Sequence, residues 1–252
     1  MIAALAGALA IGLSLGLLGS GGSILTVPVL HYLLGQPEKA AIGGSLLVVG
    51  IVAAAGTIPY ALRRQVDWVN AARFGLPGMA GAWTGATLAR FVPGPVQLGV
   101  FALVMLAAAG RMLAGPAAPA SAAPRRDAVI AGGAAVGLLS GLVGVGGGFL
   151  IVPALVLLAG VPMSAAVGTS LAVIALNSAA GFARSLGVLE AAGQPLDLGV
   201  LGTIAVVGIA GSWLGQRLGR RLPQPALRRI FGGFLVAMGI FVAVDVAPRL
   251  LG

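Results

Sequence analysis

Ten apolar runs, interrupted by charged residues or by proline and glycine, leave the chain few ways to fold. They cover residues 2–18, 23–34, 40–62, 71–90, 96–113, 128–143, 149–160, 164–186, 198–216 and 230–247. Because a helix needs about 20 residues to cross a bilayer, the third, fourth, eighth, ninth and tenth runs are long enough, and the fifth nearly is. The second and seventh runs are too short and predict broken or re-entrant half-helices. The pattern predicts an all-α polytopic membrane protein with about 8–10 hydrophobic helices.

The scarcity of charged residues excludes a soluble protein. They make up 8% of the chain, whereas a soluble domain carries about 25%. The chain has no cysteine and one histidine, so it offers neither a metal cluster nor a nucleophile–base pair. We therefore expect no enzymatic activity and no cofactor. We attribute the net charge of +9 to arginines that hold short loops in the cytoplasm, rather than to nucleic-acid binding.

The chain contains an internal duplication. Residues 16–46 read GLLGSGGSILTVPVLHYLLGQPEKAAIGGSL, and residues 141–171 read GLVGVGGGFLIVPALVLLAGVPMSAAVGTSL. The offset between matching residues is 125 in this part and 130 farther on, where Asp67 and Trp83 match Asp197 and Trp213. We expect a first membrane repeat at 1–113, a linker rich in proline and alanine at 114–127, and a second membrane repeat at 128–252. Transporters are often built from such repeats.

Charges in equivalent loops indicate that the two repeats are inverted. The loop at 63–73 carries three arginines and one aspartate, whereas its counterpart at 184–197 carries one arginine and two acidic residues. The next loop reverses this bias, with one arginine at 90–95 and five at 217–229. Since arginine-rich loops stay in the cytoplasm, equivalent loops are predicted to lie on opposite sides of the membrane.

Two glycine-rich breaks are the candidate anion sites. The first contains Ser20, Gly21, Gly22 and Ser23, and the second contains Gly146, Gly147 and Gly148. Each break precedes a short half-helix, whose N-terminus presents unpaired backbone N–H groups and partial positive charge. Irregular backbone at membrane depth is tolerated where it is buried or lines a cavity. Close helix packing is the alternative explanation, and it suffices for the Gly12/Gly16, Gly81/Gly85 and Gly211/Gly215 pairs.

Polar side chains downstream of the breaks complete the candidate site. Ser45 follows the first break, and Thr169 and Ser170 occupy the same region of the second repeat. Their hydroxyls are predicted to bind an oxyanion, or alternatively to cap helices and join them. Asn177 and Arg184 follow on one helix face. Asn177 lies inside an apolar run, where a polar residue is often functional, whereas Arg184 is either a charge partner for the anion or a snorkelling side chain.

The two breaks, each followed by a Val-Pro pair, resemble the sulfite exporter TauE/SafE family. The segment from Gly168 to Leu171 and the pair Asn177-Ser178 belong to the same resemblance, which covers both halves of the chain. The first repeat departs from the pattern, because Gly44 stands where the second repeat has Thr169. The resemblance implies a polytopic inner-membrane permease for sulfite, sulfoacetate or related anions that contain sulfur.

We therefore expect a secondary transporter that exports a small sulfur-containing anion, such as sulfite or an organosulfonate, across the bacterial inner membrane. An anion channel with the same midplane site is the alternative. The chain carries no phosphate-binding loop of the G-x-x-x-x-G-K-[ST] type, so nucleotide hydrolysis is not expected. The expected partners are the small anion and the lipid bilayer, with proton coupling as one option, and no nucleic acid.

Overall fold

The computed structural model describes residues 2–19, 21–114, 126–143, 148–191 and 196–251, and every regular element in these ranges is helical. The α-helices are α1 (Ile2–Leu18), α2 (Gly22–Pro28), α3 (Glu38–Leu62), α4 (Trp68–Leu88), α5 (Gly94–Leu113), α6 (Arg126–Val143), α7 (Gly148–Leu158), α8 (Met163–Ala191), α9 (Leu198–Gly219) and α10 (Gln224–Leu251). A π-helical turn at Val29–Leu33 continues α2, and a 3-10 turn at Ala89–Phe91 continues α4. The helices follow the ten apolar runs in order, which confirms the all-α prediction.

The two short apolar runs form short helices, as predicted. α2 has 7 residues and its π-helical continuation has 5, whereas α7 has 11. At a rise of about 1.5 Å per residue, neither element can cross a hydrocarbon core of about 30 Å. Both end at a glycine with positive φ, Gly35 at 64° and Gly160 at 63°, which correspond in the duplication. Glycine adopts this conformation without steric cost and is the usual helix terminator.

Three helices are long and apolar enough to cross a membrane among the described residues. They are Ala40–Leu62, Ala165–Gly187 and Leu198–Gly219. Ala4–Leu18 and Gly232–Pro248 are shorter apolar helices. The run at 71–90, now part of α4, falls short of the prediction because Arg73 and several glycines and threonines lower its apolar character.

Two aspartates set equivalent helix starts. Asp67 precedes α4 and its Oδ1 accepts a hydrogen bond of 2.9 Å from the Asn70 amide. Asp197 precedes α9 and its Oδ1 accepts one of 3.0 Å from the Val200 amide. A side-chain acceptor at this position pairs an amide that the helix leaves unpaired. The duplication seen in the sequence is therefore reproduced in local hydrogen bonding.

The first helix of each repeat packs on the fourth helix of the other repeat. Gly12 of α1 lies against the carbonyl of Gly208, and Gly16 lies against that of Ser212, so α1 and α9 run parallel. α6 packs on α4 through its glycines at the equivalent positions 137 and 141. Glycine at these contacts lets two backbones approach closely, which confirms packing as the role of the spaced glycine pairs.

The centre of the bundle is the pair α3 and α8, which correspond in the duplication. Gly43 of α3 contacts Leu189 of α8, and Gly50 contacts Ser178. Residue numbers therefore rise along one helix as they fall along the other, and the two helices are antiparallel. This pair carries most of the buried polar side chains, so it positions the candidate site.

α5 and α10 form a second pair of equivalent helices. Gly232 of α10 contacts Leu113 of α5, and Gly239 contacts Leu106. These two helices are antiparallel as well. Wherever a helix packs on its own counterpart in these two pairs, the two copies run in opposite directions.

Candidate substrate-binding site

The first glycine break joins the second repeat through Ser170. The break follows α1 at Gly19, whose φ is +73°. The Ser170 hydroxyl lies 2.8 Å from the carbonyl oxygen of Gly19 and 2.8 Å from that of Val167, to either of which it donates. Ser170 is fully buried. Ser170 therefore joins α8 of the second repeat to the end of α1, and interhelical bonding accounts for its hydroxyl.

Thr169 and Ser45 also bond within the protein. The Thr169 hydroxyl oxygen accepts a hydrogen bond of 2.9 Å from the backbone amide of Asp67, which ties α8 to the start of α4. The Ser45 hydroxyl donates to the carbonyl of Ile42 at 2.8 Å. Both side chains are buried. These contacts match the structural alternative for the downstream hydroxyls.

Packing fills the described part of the first break. A Cβ at Gly22 would overlap the carbonyl oxygen of Ile11 and lie 2.8 Å from Leu15 Cβ. A Cβ at Gly21 would lie 3.1 Å from Leu18 Cδ1. Ser23 is fully buried. The backbone at Gly22 is thus covered by α1.

The remaining residues of the breaks fall mostly outside the described ranges. Ser20, Gly146 and Gly147 lie outside them, so the second break is represented by Gly148 alone. Gly148 is buried at the first residue of α7.

Asn177 is the predicted site residue whose side chain has no hydrogen-bond partner among the described residues. It is 1% exposed and lies beside the middle of the apolar span Ala165–Gly187. Its amide faces Gly78 of α4, where a Cβ would be 2.9 Å from both Nδ2 and Oδ1. Neither atom has a hydrogen-bond partner among the residues that the structure describes. Because leaving a buried polar group unpaired costs about 1–3 kcal/mol, Asn177 differs from Thr169 and Ser170, whose hydroxyls bond within the protein.

Two further hydroxyls share this condition, and sequence reasoning did not assign them to the site. Ser178 and Ser212 are fully buried, and within the described ranges their Oγ atoms have no partner. Ser178 faces Gly50 of α3, whereas Ser212 lies beside Gly56 of α3. The neighbouring Gln216 differs, since its Nε2 donates to the Gly56 carbonyl at 2.8 Å. A serine inside an apolar run was the available signal, but serines commonly bond their own helix.

Arg184 extends the polar face of Asn177 towards one end of the bundle. It lies seven residues beyond Asn177 on α8, about 10 Å along the axis. Its Nε donates to the hydroxyl of Thr87 at 3.3 Å, and its guanidinium lies 6.0 Å from the ring centre of Trp83. The interface of α4 and α8 therefore holds an unpaired amide at mid-length and a half-buried cation nearer its end.

Ser170 and Asn177 lie at different heights. They are seven residues apart on α8, which separates them by about 10 Å along the axis. Since Ser170 bonds to Gly19, the described end of the first break is displaced from Asn177 by a similar amount. The predicted residues thus form two levels in the bundle.

The interface between α4 and α8 has an equivalent in the duplication, the interface between α9 and α3, but the side chains of the two interfaces differ. Gly208 of α9 faces Val52 of α3, with a Cβ at Gly208 placed 2.9 Å from Val52 Cγ2. Gly208 and Val52 occupy the positions that correspond to Gly78 and Asn177. The two interfaces have the same backbone approach, but the amide occurs at one and an alkyl group at the other.

The ends of the bundle differ in charge. α3 and α9 run parallel, because Gly56 contacts Ser212 and Gly208 contacts Val52. Their C-terminal ends and the starts of α4, α6 and α10 consequently lie together. This end carries the arginines at positions 63, 64, 73, 126, 217, 220, 221 and 229, with Asp67 and Asp127. The opposite end carries Arg184 with Glu190, Asp197 and Asp245.

Other features of the described residues do not add to the site. No cluster of histidine, cysteine, aspartate or glutamate suited to a metal ion occurs among them. An apolar groove of about 610 Å³ between α4 and α6 is lined by residues such as Pro77, Thr84 and Leu138, and none of the predicted site residues line it. His31 Nδ1 lies 2.8 Å from the carbonyl oxygen of Gln36, to which it can donate across the turn after the first half-helix.

Comparison with known proteins identifies the family. The family described as Sulfite exporter TauE/SafE matches residues 4–242. A probable membrane transporter protein of Xylella fastidiosa (strain Temecula1) is 35% identical, covering 92% of this chain and 90% of its own. A probable membrane transporter protein of Methanocaldococcus jannaschii is 28% identical, covering 92% of both chains. No solved structure matches the chain. The protein belongs to the TauE/SafE family of membrane transporters.

Proposed function

We propose that this chain is a secondary transporter that moves a small sulfur-containing anion, such as sulfite or an organosulfonate, outward across the inner membrane. The observation that carries the proposal is the unpaired amide of Asn177 at mid-length of a membrane-spanning helix. Polar groups at this depth are costly and generally serve a substrate pathway. The family description supplies the chemical class of the anion.

The charges along the spans favour an anionic substrate over a cationic one. The three spans Ala40–Leu62, Ala165–Gly187 and Leu198–Gly219 contain no aspartate or glutamate. Arg184 is the charged residue on the same helix face as Asn177, two turns away. Donors from Asn177 and Ser178 would bind the oxyanion, and Arg184 would attract it at one end of the pathway.

We also propose that the two repeats are inverted in the membrane. The antiparallel packing of α3 on α8 and of α5 on α10 supports this, because each pair joins equivalent helices. The arginine-rich end would face the cytoplasm. Inverted repeats provide two related conformations in which a central site opens to either side.

Flux measurements in proteoliposomes test the proposal. Purified protein is reconstituted, and the movement of sulfite, sulfate, thiosulfate, sulfoacetate and acetate is followed. We expect sulfite or an organosulfonate to be moved against its gradient when a driving ion gradient is imposed. The Asn177→Leu variant should lose about tenfold or more in flux, whereas Thr203→Val, which alters an exposed hydroxyl bonded to its own helix, should not.

Two outcomes would contradict the proposal. Flux that only dissipates an existing gradient would indicate a channel with the same site. Absence of flux for every anion, with protein that is folded and monodisperse, would exclude this class of substrate.

A further inference from the structure

Asn177 offers a ligand a donor group, the NH2 of Nδ2, and an acceptor atom, Oδ1. Nδ2 can donate and Oδ1 can accept, and both are buried without a partner in the described part of the chain. Exchanging the two atoms by a flip of the amide leaves one donor and one acceptor unpaired in either orientation. A fully deprotonated oxyanion has acceptors only, so it would pair the nitrogen and leave the oxygen unpaired.

Among the residues that the structure describes, the helices packed around Asn177 carry no charged or titratable side chain at the level of its amide. On α8 the next such groups are Arg184, about two turns away, and Glu190, more than three turns away, and on α4 Arg73 lies five residues before Gly78. α3 has Glu38 and Lys39 at its start and Tyr60 near its end, and α7 has no titratable residue. The donor for Oδ1 is therefore not a proton held by a neighbouring side chain.

We infer that the site at Asn177 takes its oxyanion in the singly protonated form, with the ligand O–H donating to Oδ1 while Nδ2 donates to a ligand oxygen. This inference rests on the sulfite part of the proposed function, because a sulfonate group carries no O–H at neutral pH, and it adds the protonation state that the site selects. A monoanion also fits better than a dianion, because a second charge at this depth would be buried two turns from the cation of Arg184.

Three tetrahedral or pyramidal sulfur anions allow the effect of net charge to be distinguished from the effect of an O–H donor. Hydrogen sulfite exchanges its proton near neutral pH, and one of its tautomers carries that proton on oxygen. Methanesulfonate has the same single charge but no O–H group. Sulfate is a dianion without a donor at neutral pH. The site should therefore prefer hydrogen sulfite to methanesulfonate, and methanesulfonate to sulfate.

The first experiment varies pH with the reconstituted full-length protein. The pH is kept equal on both sides, and initial sulfite flux is measured at equal, subsaturating total sulfite. Between one unit below and one unit above the pKa of hydrogen sulfite, flux should fall about tenfold, because the protonated fraction falls by that factor. Flux plotted against hydrogen sulfite concentration should give one curve at all pH values. A flux that follows total sulfite or the dianion overturns the inference and leaves the proposed function intact.

The second experiment measures competition and a variant. Methanesulfonate should inhibit hydrogen sulfite flux with an affinity about tenfold weaker than that of hydrogen sulfite itself, the effect of one lost hydrogen bond. In Asn177→Leu the preference should fall towards unity even where total flux is lower. Thr203→Val is the matched control and should keep the preference.

If Asn177 has only a structural role, the Asn177→Leu substitution would reduce the binding of hydrogen sulfite and of methanesulfonate equally. An unchanged preference in Asn177→Leu would mean that the amide does not recognise the proton of the ligand, and this result overturns the inference. Absence of flux for all three anions would overturn the proposed function, and with it this inference, whereas flux without preference overturns the inference alone.

Discussion

The amide of Asn177 lies against Gly78 so closely that a Cβ on the glycine would be 2.9 Å from both Nδ2 and Oδ1. The equivalent glycine of the other repeat, Gly208, faces Val52 at the same distance. One backbone arrangement is thus used twice, with a polar group on one side and an alkyl group on the other. This pair of contacts supplies a matched experiment within a single chain.

Gly78→Ala and Gly208→Ala should have similar effects on stability and different effects on transport. Each variant adds a methyl group to a tight contact, and overpacking of this kind costs about 1–3 kcal/mol. Only Gly78→Ala pushes on the amide, so only it should raise the substrate KM. Thermal unfolding in detergent and flux in proteoliposomes measure the two effects. Equal increases in KM would show that Asn177 has no special role.

Ser170→Ala and Ser212→Ala remove the same atom from two buried serines with opposite expected results. Ser170 donates to backbone carbonyls including that of Gly19, so its loss should cost about 1 kcal/mol. Ser212 has no partner within the described ranges, so its loss should leave stability unchanged or raise it by up to about 1 kcal/mol. Comparison of their thermal midpoints checks this. A large loss in Ser212→Ala would reveal a partner such as a bound water.

Gly19→Ala should be more destabilising than Gly35→Ala. Both glycines have positive φ, where a Cβ costs about 1–2 kcal/mol. At Gly19 the Cβ would also lie 2.8 Å from Ser170 Oγ and 2.9 Å from Val167 Cα, whereas at Gly35 nothing lies within 4 Å. The difference between the two unfolding free energies therefore measures packing at the first break. Equal losses of unfolding free energy in the two variants would mean that α8 can move away from the added methyl group without a loss of stability.

Phe91→Cys and Arg221→Cys should react with an impermeant maleimide from opposite sides of the membrane. The two residues are exposed and occupy equivalent positions in the repeats. The chain has no cysteine of its own, so the background is clean. Labelling of oriented vesicles, with and without permeabilisation, gives the side of each residue. Labelling from the same side would exclude inverted repeats.

Helices were predictable from the sequence to a large extent, since apolar runs and Pro/Gly breaks report directly on local structure. The two half-helices and the glycine contacts follow from length and spacing. α4 departs from the pattern, because Arg73 and its small residues reduce its apolar character while packing against α6 compensates.

The candidate site was predictable only in part. Asn177 was found because an amide inside an apolar run is conspicuous. Ser170 and Thr169 were found because they follow the second glycine break in the duplicated pattern, but their hydroxyls bond to Gly19 and Asp67, residues distant in the sequence. Whether the hydroxyl of Ser212 has a hydrogen-bond partner depends on which groups of α3 lie beside it. Whether a polar group is paired is a property of the assembled helices, which a single sequence pattern does not contain.

The exchange of helices between the repeats has a consequence for how the chain is made. The glycine face of α1 finds its partner only when α9 has been synthesised, because Gly16 packs on Ser212 and Leu17 packs on Gly219. Throughout most of translation the glycine face of α1 is therefore covered by lipid and not by α9. Neither half is a complete unit, and a nascent chain interrupted before α9 would present that surface to any other helix with a matching glycine face.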